Sequence, residues 1–209
     1  TCYVTPLYSS CPLFMLTPLY KNWYLDQLAE NFTNVSQEDL ENNGVITGIN
    51  PQTSFYQRVV SSYDSKVFVI ISDALRYEVA TSIAEQLKSE TKSDVEIESQ
   101  QSIFPSITKF GMAALLPHRK LSVVNKGDSL RVLADGHSTE MDDRDSILKN
   151  RNPKSVAVRY KDFILLKKDE QRELIKGQEV IYIYHDTIDG MGHHDEMNVF
   201  SACDIAQAE

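Results

Sequence analysis

The chain has 209 residues and a mass of 23.7 kDa, a length that suits one α/β domain with a short appendage. Hydrophobic residues make up 42% and charged residues 24%, which excludes disordered, collagen-like and repeat chains. The formal net charge of -9 disfavours non-specific nucleic-acid binding by the surface as a whole. A phosphate-bearing ligand would therefore need a local positive centre, such as a metal ion.

Membrane insertion and secretion are also not indicated. The apolar run at 67–71 is far shorter than the roughly 20 residues that cross a bilayer, and no positive charge precedes Lys21 as in a signal peptide. The three cysteines, at positions 2, 11 and 203, form no metal-binding or disulfide pattern. We therefore expect a cytoplasmic protein with free thiols and no membrane partner.

Residues 1–63 are predicted to form a helical connector segment. Three prolines argue against a continuous helix in residues 1–20, and the polar stretch 31–50, with its Asn-Asn-Gly turn, is predicted to be a linker. Apolar spacing predicts helices over 21–31 and 54–62.

Residues 64–209 are predicted to form the main α/β domain. The β-branched and aromatic runs at 67–71 and 180–184 are typical of strands buried on both faces of a parallel sheet, and the first is predicted to be the central strand. Residues 121–152 are polar and are predicted to be a cap-like excursion. Further elements are expected as strands at 95–98, 121–124, 130–133 and 157–160, and as helices at 76–88, 109–116, 144–148 and 167–175. The fold class is therefore a mostly parallel central sheet flanked by helices.

Metal-ligating side chains follow both buried strands. Asp73 comes directly after the first, and the second is followed by His185, Asp186, Asp189, His193 and His194. Parallel sheets bind ligands beyond the carboxyl ends of their strands, and carboxylates with imidazoles suit Zn²⁺ or a similar ion. The alternatives are a solvated loop for the histidines and a helix N-cap for Asp73.

A hydroxyl nucleophile is available in the loop at 104–108. Ser106 and Thr108 precede a predicted helix, where free backbone N–H groups can stabilise an anion. Serine and threonine are also the preferred N-cap residues, so a capping role stays open for both.

Three sequence blocks carry a resemblance to a known family. They are VIISDALRYE at 69–78, PSITKFGMAALLP at 105–117 and YIYHDTIDG at 182–190. In this order they resemble the PglZ domain of the alkaline phosphatase superfamily, which belongs to bacterial BREX phage-defence systems, and the similarity runs from about residue 20 to the end. The resemblance implies an alkaline phosphatase-like core and a site for two divalent metal ions, usually zinc.

On that resemblance, Asp73 would bind the metal that activates a hydroxyl nucleophile, and Thr108 would be that nucleophile and ligand, with Ser106 as the alternative. The string DGMGH at 189–193 is similar to the superfamily's Asp-x-x-Gly-His pattern, so Asp189 and His193 would hold the other metal, with His194 as the alternative. PglZ proteins often carry an acidic residue at the position of His193.

The superfamily completes both metal sites with a downstream Asp-His-Gly block and a further histidine. No Asp-His-Gly string occurs in this chain, and the last predicted helix, at 197–209, has no stop signal. We therefore expect a domain truncated at its C-terminus, with an incomplete metal site.

The resemblance implies a metal-dependent phosphohydrolase that acts on a phosphate ester through a threonine nucleophile, with other phage-defence proteins as partners. A phosphodiesterase or nuclease with the same metals, which would act on nucleic acid, is one alternative. A catalytically silent interaction module of the defence complex is another.

Four further residues have other interpretations. His118 and His137 are interpreted as exposed loop residues, and Arg76 as an ion-pair partner of a nearby acid. If the excursion caps the site, Arg144 and His137 could contact the substrate.

Overall fold

The computed structural model describes residues 12–127, 129–192 and 199–208. The chain divides into two compact units, Thr1–Ile49 and Asn50–Glu209. No helix within the described ranges is both long enough and apolar enough to span a membrane. Cys203 is a buried free thiol, whereas Cys2 and Cys11 lie outside the described residues.

The first unit is helical from Pro12 to Asn43. Helix α1 spans Pro12–Leu19, a π-helix spans Tyr20–Leu25, and helix α2 spans Asp26–Asn43. Gly44 then adopts a left-handed φ of 70° and donates its N–H to the Leu40 carbonyl at 3.0 Å, which ends the helix.

Two predictions for this unit are wrong. Pro18 lies inside α1 rather than breaking it, and the wider π-helix begins two residues later. The predicted polar linker is helical as far as Asn43. Polar side chains are compatible with a solvated helix, and pairs such as Gln37 and Glu41, which hydrogen-bond at 2.7 Å, support it.

A three-stranded parallel sheet forms the centre of the second unit. Its strands are β1 (Val67–Ser72), β5 (Ser155–Arg159) and β6 (Val180–His185), in the order β1-β6-β5. Val67 pairs with Val180 and Ser72 with His185, so β1 and β6 end together. The predicted class, a parallel sheet flanked by helices, is confirmed.

The prediction that β1 is the central, doubly buried strand is wrong. The strand lies at the edge of the sheet, and Phe68 and Ile70 on one of its faces are 49% and 67% exposed. β6 takes the central position, and all six of its residues are buried. An apolar run shows that a strand is apolar on both faces, but it does not fix the strand's place in the sheet.

The side chains of β6 alternate between two hydrophobic clusters. Tyr182 and Tyr184 point to the same side and pack with buried residues of the helices α5 (Thr108–Ala114) and α6 (Arg144–Arg151). Ile181 and Ile183 point to the other side, where partly buried residues of α8 (Lys168–Ile175) pack against them. This period of two places the sheet between helical layers.

A second, antiparallel sheet lies in the predicted cap-like excursion. It consists of β2 (Leu121–Lys126), β3 (Ser129–Ala134) and β4 (His137–Ser138). Asp135 follows β3 with a left-handed φ of 49°, and its carboxylate accepts the backbone N–H groups of Arg119 and Lys120 at 2.9–3.1 Å. These bonds fix the chain that enters β2.

The remaining helices connect the strands. Their ranges are α3 Phe55–Arg58, α4 Tyr77–Glu90, α7 Tyr160–Leu165, α9 Thr187–Gly192 and α10 Val199–Ala208. Residues 50–63 lie in the second unit, and Tyr56 and Val60 are buried in its core. The predicted strand at 95–98 is absent. Glu98 instead forms an ion pair with Arg58 at 2.9 Å on the surface.

Tyr182 links the central strand to α5. Its side chain is fully buried, and its hydroxyl donates to the Leu115 carbonyl at 2.9 Å. We expect Tyr182→Phe to lower the free energy of unfolding by about 1–2 kcal/mol, because the buried carbonyl loses its donor. Urea denaturation would measure this, with Tyr63→Phe at an exposed tyrosine as the control. Equal midpoints for both variants would contradict the prediction.

The Asp135 contacts predict a pH-dependent stability. Hydrogen bonds from the backbone of Arg119 and Lys120 lower the pKa of Asp135 below its ordinary value of 3.8. This stabilisation is complete above that value and is lost as the pH falls through the depressed pKa. We expect Asp135→Asn to lower the free energy of unfolding by about 1 kcal/mol or less at pH 7 and to match the wild type once Asp135 is protonated. Denaturant titrations of the variant and the wild type, at pH 7 and at a pH where Asp135 is protonated, would test this. A difference in unfolding free energy that is the same at both pH values would contradict it.

Candidate active site

The carboxyl ends of β1 and β6 meet at one edge of the parallel sheet. The Asp73 N–H donates to the His185 carbonyl at 2.9 Å, and Ser72 Oγ lies 2.8 Å from His185 Nδ1. The His185 ring is buried, with Tyr160 edge-on at 5.0 Å between ring centroids. His185 therefore joins the two strands beneath the site rather than projecting from them.

Asp73 lies directly after β1, at a sharp change of chain direction. Ala74 has a left-handed φ of 61°, and its N–H donates to Asp73 Oδ1 at 3.0 Å. The N-cap residue of α4 is Arg76, with no side-chain cap, so Asp73 does not cap that helix. Its half-buried carboxylate faces other side chains instead.

Thr108 is the first residue of α5, and its hydroxyl lies near enough to the Asp73 carboxylate to lower the pKa of Asp73. The N-cap position belongs to Ile107, and no side chain caps this helix, so neither Ser106 nor Thr108 has the capping role. Both residues are exposed. Thr108 is therefore exposed and near a carboxylate, whereas Ser106 is not among the groups that shift the pKa of Asp73.

Asp189, on α9, brings a second carboxylate close to Asp73. Burial raises the pKa of Asp73, and the negative charge of Asp189 raises it further. The Ala74 N–H, the Thr108 hydroxyl and the charge of Arg144 act in the opposite direction and lower it. The site thus contains two mutually repelling carboxylates, a hydroxyl and one nearby guanidinium.

Arg144 supplies the positive charge at this site. Its Nε donates to the Thr139 carbonyl at 3.0 Å, and its guanidinium lies over the Tyr184 ring, 4.4 Å from the centroid. The same guanidinium stabilises the charged form of Asp73. Arg144 begins α6, within the predicted cap-like excursion, so its approach to Asp73 depends on tertiary packing.

The described side chains at this site supply some of the ligands that a divalent cation needs. Asp73 and Asp189 offer carboxylate oxygens, and a cation between them would offset their repulsion. The predicted ligand His193 and its alternative His194 lie outside the described residues. Within the described ranges, no group of three or more His, Cys, Asp or Glu side chains is gathered around a common point.

The other sequence candidates have different partners. Asp186 forms an ion pair with Lys161 at 2.9 Å, and Arg76 lies 4.0 Å from Glu78. His118 and His137 line a cavity of the second unit whose walls include neither Asp73 nor Thr108. Of the two residues suggested as substrate contacts, His137 and Arg144, Arg144 is the one that lies near Asp73.

Comparison with known proteins identifies the family of the second unit. Residues 55–209 match the family model described as the BREX system PglZ alkaline phosphatase-like domain. The chain belongs to this PglZ family. The match covers both the sheet and the Asp73, Thr108 and Asp189 positions, so the resemblance predicted from the sequence blocks is confirmed.

Two curated PglZ-family relatives are similar over most of the chain. The alkaline phosphatase-like protein BrxZ of Escherichia coli O9:H4 (strain HS) is 42% identical over 200 residues, which are 91% of this chain and 23% of the relative. The alkaline phosphatase-like protein PglZ of Bacillus cereus (strain H3081.97) is 35% identical over 189 residues, 88% of this chain and 22% of the relative. The chain thus spans less than a quarter of either relative's length. No solved structure matches it significantly.

Proposed function

We propose that this chain is a metal-dependent phosphohydrolase domain of a bacterial phage-defence system, with Thr108 as the nucleophile. The observation that carries the proposal is the proximity of the Thr108 hydroxyl to the Asp73 carboxylate, whose pKa it lowers, beside Asp189 and Arg144. A hydroxyl, a proton acceptor and a fixed positive charge are the groups that phosphate-ester cleavage requires of the protein. Family membership supports the same reaction class.

In this proposal Asp73, Thr108 and Asp189 hold the divalent metal ions, together with His193 or His194. Bound metal supplies positive charge that stabilises the phosphoryl group and lowers the pKa of the attacking hydroxyl. Asp73 and Asp189 otherwise repel each other, so the protein has an electrostatic reason to bind a cation at this place.

Thr108 and Asp73 would cleave the ester in two successive steps. Asp73 orients the Thr108 hydroxyl and takes up its proton as Thr108 Oγ1 forms a bond to phosphorus. The ester P–O bond breaks, and the leaving oxygen takes a proton from water. The hydroxide left from that water then attacks phosphorus and breaks the bond to Thr108 Oγ1, which takes its proton back from Asp73, so that phosphate is released and both side chains are restored.

Arg144 is expected to bind the phosphate oxygens. We expect Arg144→Gln to raise KM for a phosphate monoester about tenfold or more, because a charge-assisted hydrogen bond is lost, with a smaller change in kcat. Arg144→Lys should restore part of the affinity. Arg172→Gln, which removes an exposed guanidinium of α8, is the control. Steady-state kinetics would test this, and an unchanged KM in Arg144→Gln would contradict it.

The experiment that tests the function is a comparison of metal content with turnover. The purified chain would be loaded with zinc, analysed for bound metal, and assayed on p-nitrophenyl phosphate and bis-p-nitrophenyl phosphate, with and without a chelator. We expect metal-dependent turnover, with the monoester faster. Faster diester cleavage would replace the proposal with a phosphodiesterase or nuclease. Absence of both bound metal and turnover would contradict catalysis by this chain and favour an interaction module that binds other defence-system proteins.

A further inference from the structure

The second unit contains a cavity of about 600 Å³ that the proposed reaction does not use. Its walls come from the segment 53–57, from the chain after α5, from the end of β3 and the turn after it, and from the second half of α6. Asp73, Thr108 and Asp189 do not line it.

Two helices separate this cavity from the candidate active site. Thr108 begins α5, whereas Leu116 and Pro117, beyond the other end of that helix, line the cavity. Arg144 begins α6, whereas Arg151 at its end lines the cavity. At about 1.5 Å per residue, Arg151 lies roughly 10 Å along α6 from Arg144, and Ile147, the cavity residue of α6 that is closest to Arg144 in sequence, lies about one turn from it. The cavity is therefore a separate site.

Positively charged side chains are concentrated around the cavity. Arg119, Arg151, His118 and His137 line it, in a protein whose net charge is -9. Neither guanidinium is ion-paired with a carboxylate in the part of the chain that the structure describes, whereas other arginines, such as Arg58 and Arg172, do form such pairs. Arg119 interacts with Asp135 only at longer range, and two guanidinium groups without a carboxylate at ion-pair distance favour an anionic ligand.

One acid, Asp135, lines the cavity, but its carboxylate offsets little of the positive charge of the arginines. Both Asp135 oxygens accept backbone N–H groups, from Arg119 and Lys120. These bonds hold the carboxylate against the main chain and orient the segment that carries His118 and Arg119. Asp135 thereby positions the cationic wall of the cavity.

His118 is fixed in orientation. Its Nδ1 lies 2.7 Å from the Leu116 carbonyl, which can only accept, so Nδ1 carries a proton and donates it. This leaves Nε2 to contact a ligand.

The cavity also has an apolar wall. Tyr56, Leu116 and Ile147 are buried and line it. The volume is in the range of pockets that hold a drug-sized molecule and far exceeds what a lone inorganic anion fills. We propose that this cavity binds a phosphorylated small molecule of nucleotide size, with Arg119 and Arg151 on the phosphate and the apolar wall against the organic body.

Isothermal titration calorimetry with ADP tests this proposal, using the full chain with a chelator present and ionic strength held constant. We expect ADP to bind, inorganic phosphate to compete, and adenosine to bind at least about tenfold more weakly. The double variant Arg119→Gln/Arg151→Gln should weaken ADP binding about tenfold or more. Arg151→Lys should weaken it less, because lysine keeps the positive charge but lacks the paired N–H donors of the planar guanidinium.

Two controls separate this site from the proposed catalytic one. Arg172→Gln/Lys176→Gln removes the same charge from α8, where both side chains form surface ion pairs, and should bind ADP as the wild type does. Asp73→Asn should also leave ADP binding unchanged. The proposal is overturned if ADP does not bind at about 1 mM, if the Arg119/Arg151 variant binds it normally, or if Asp73→Asn abolishes binding. Thermal melts would verify that each variant is folded.

Discussion

Thr108→Ala is expected to reduce turnover of a phosphate monoester by about a thousandfold or more, while zinc binding is largely retained. The hydroxyl that contacts Asp73 is the group that we assign to the covalent step, and removing a nucleophile removes transition-state bonding that no neighbour replaces. Initial rates and elemental analysis on the same preparation would measure both quantities. Loss of activity with the metal retained separates a chemical role from a structural one.

Two matched variants sharpen this test. Thr108→Ser keeps a hydroxyl at the first residue of α5 and should retain measurable turnover. Ser106→Ala removes the neighbouring hydroxyl, which the structure does not place on Asp73, and should behave as the wild type does. Wild-type rates in Thr108→Ala, or a large loss in Ser106→Ala, would shift the nucleophile to Ser106.

Asp73→Ala is expected to lower zinc affinity by about a hundredfold or more and to reduce turnover accordingly. Asp73 is the carboxylate that contacts Thr108 and faces Asp189, so its removal takes away both a metal ligand and the group that orients the nucleophile. Competition with a fluorescent zinc chelator would give the affinity of each variant.

Asp186→Asn is the matched control for this change. Asp186 lies just beyond β6, near Asp189 in sequence, but its exposed carboxylate is paired with Lys161. We expect its zinc affinity to equal that of the wild type. Equal zinc affinity in Asp73→Ala and the wild type would remove Asp73 from the metal site.

Two strands of the parallel sheet could be predicted from the sequence because both are continuous apolar runs, but which of them is central could not. Residues 180–184 have no polar side chain that would have to face water, and all of them are buried. The run at 67–71 looks the same locally, yet Phe68 and Ile70 are exposed, because a strand's place in the sheet depends on which other strands pair with it. The part of α2 beyond residue 31 was not predicted because its residues are polar and the tendency of the backbone to form helix is a weak signal there.

For the candidate site, the residue types could be predicted and the local geometry could not. Sequence blocks pointed to Asp73, Thr108 and Asp189, and the structure brings these three together. The approach of Arg144 to Asp73 depends on how α6 packs against Tyr184, so no local pattern contained it. The cationic cavity was missed for the same reason. His118 and His137 looked like unrelated loop residues and meet only in the folded unit.

The left-handed conformation of Ala74 has a consequence for how this protein can vary over evolution. A residue with a φ of 61° carries strain unless it is glycine or, less favourably, asparagine or aspartate. Valine or isoleucine at position 74 would drive the backbone out of this region and turn the Asp73 carboxylate away from Thr108. Related sequences should therefore carry only small or short polar residues at position 74, even though the Ala74 side chain itself is exposed.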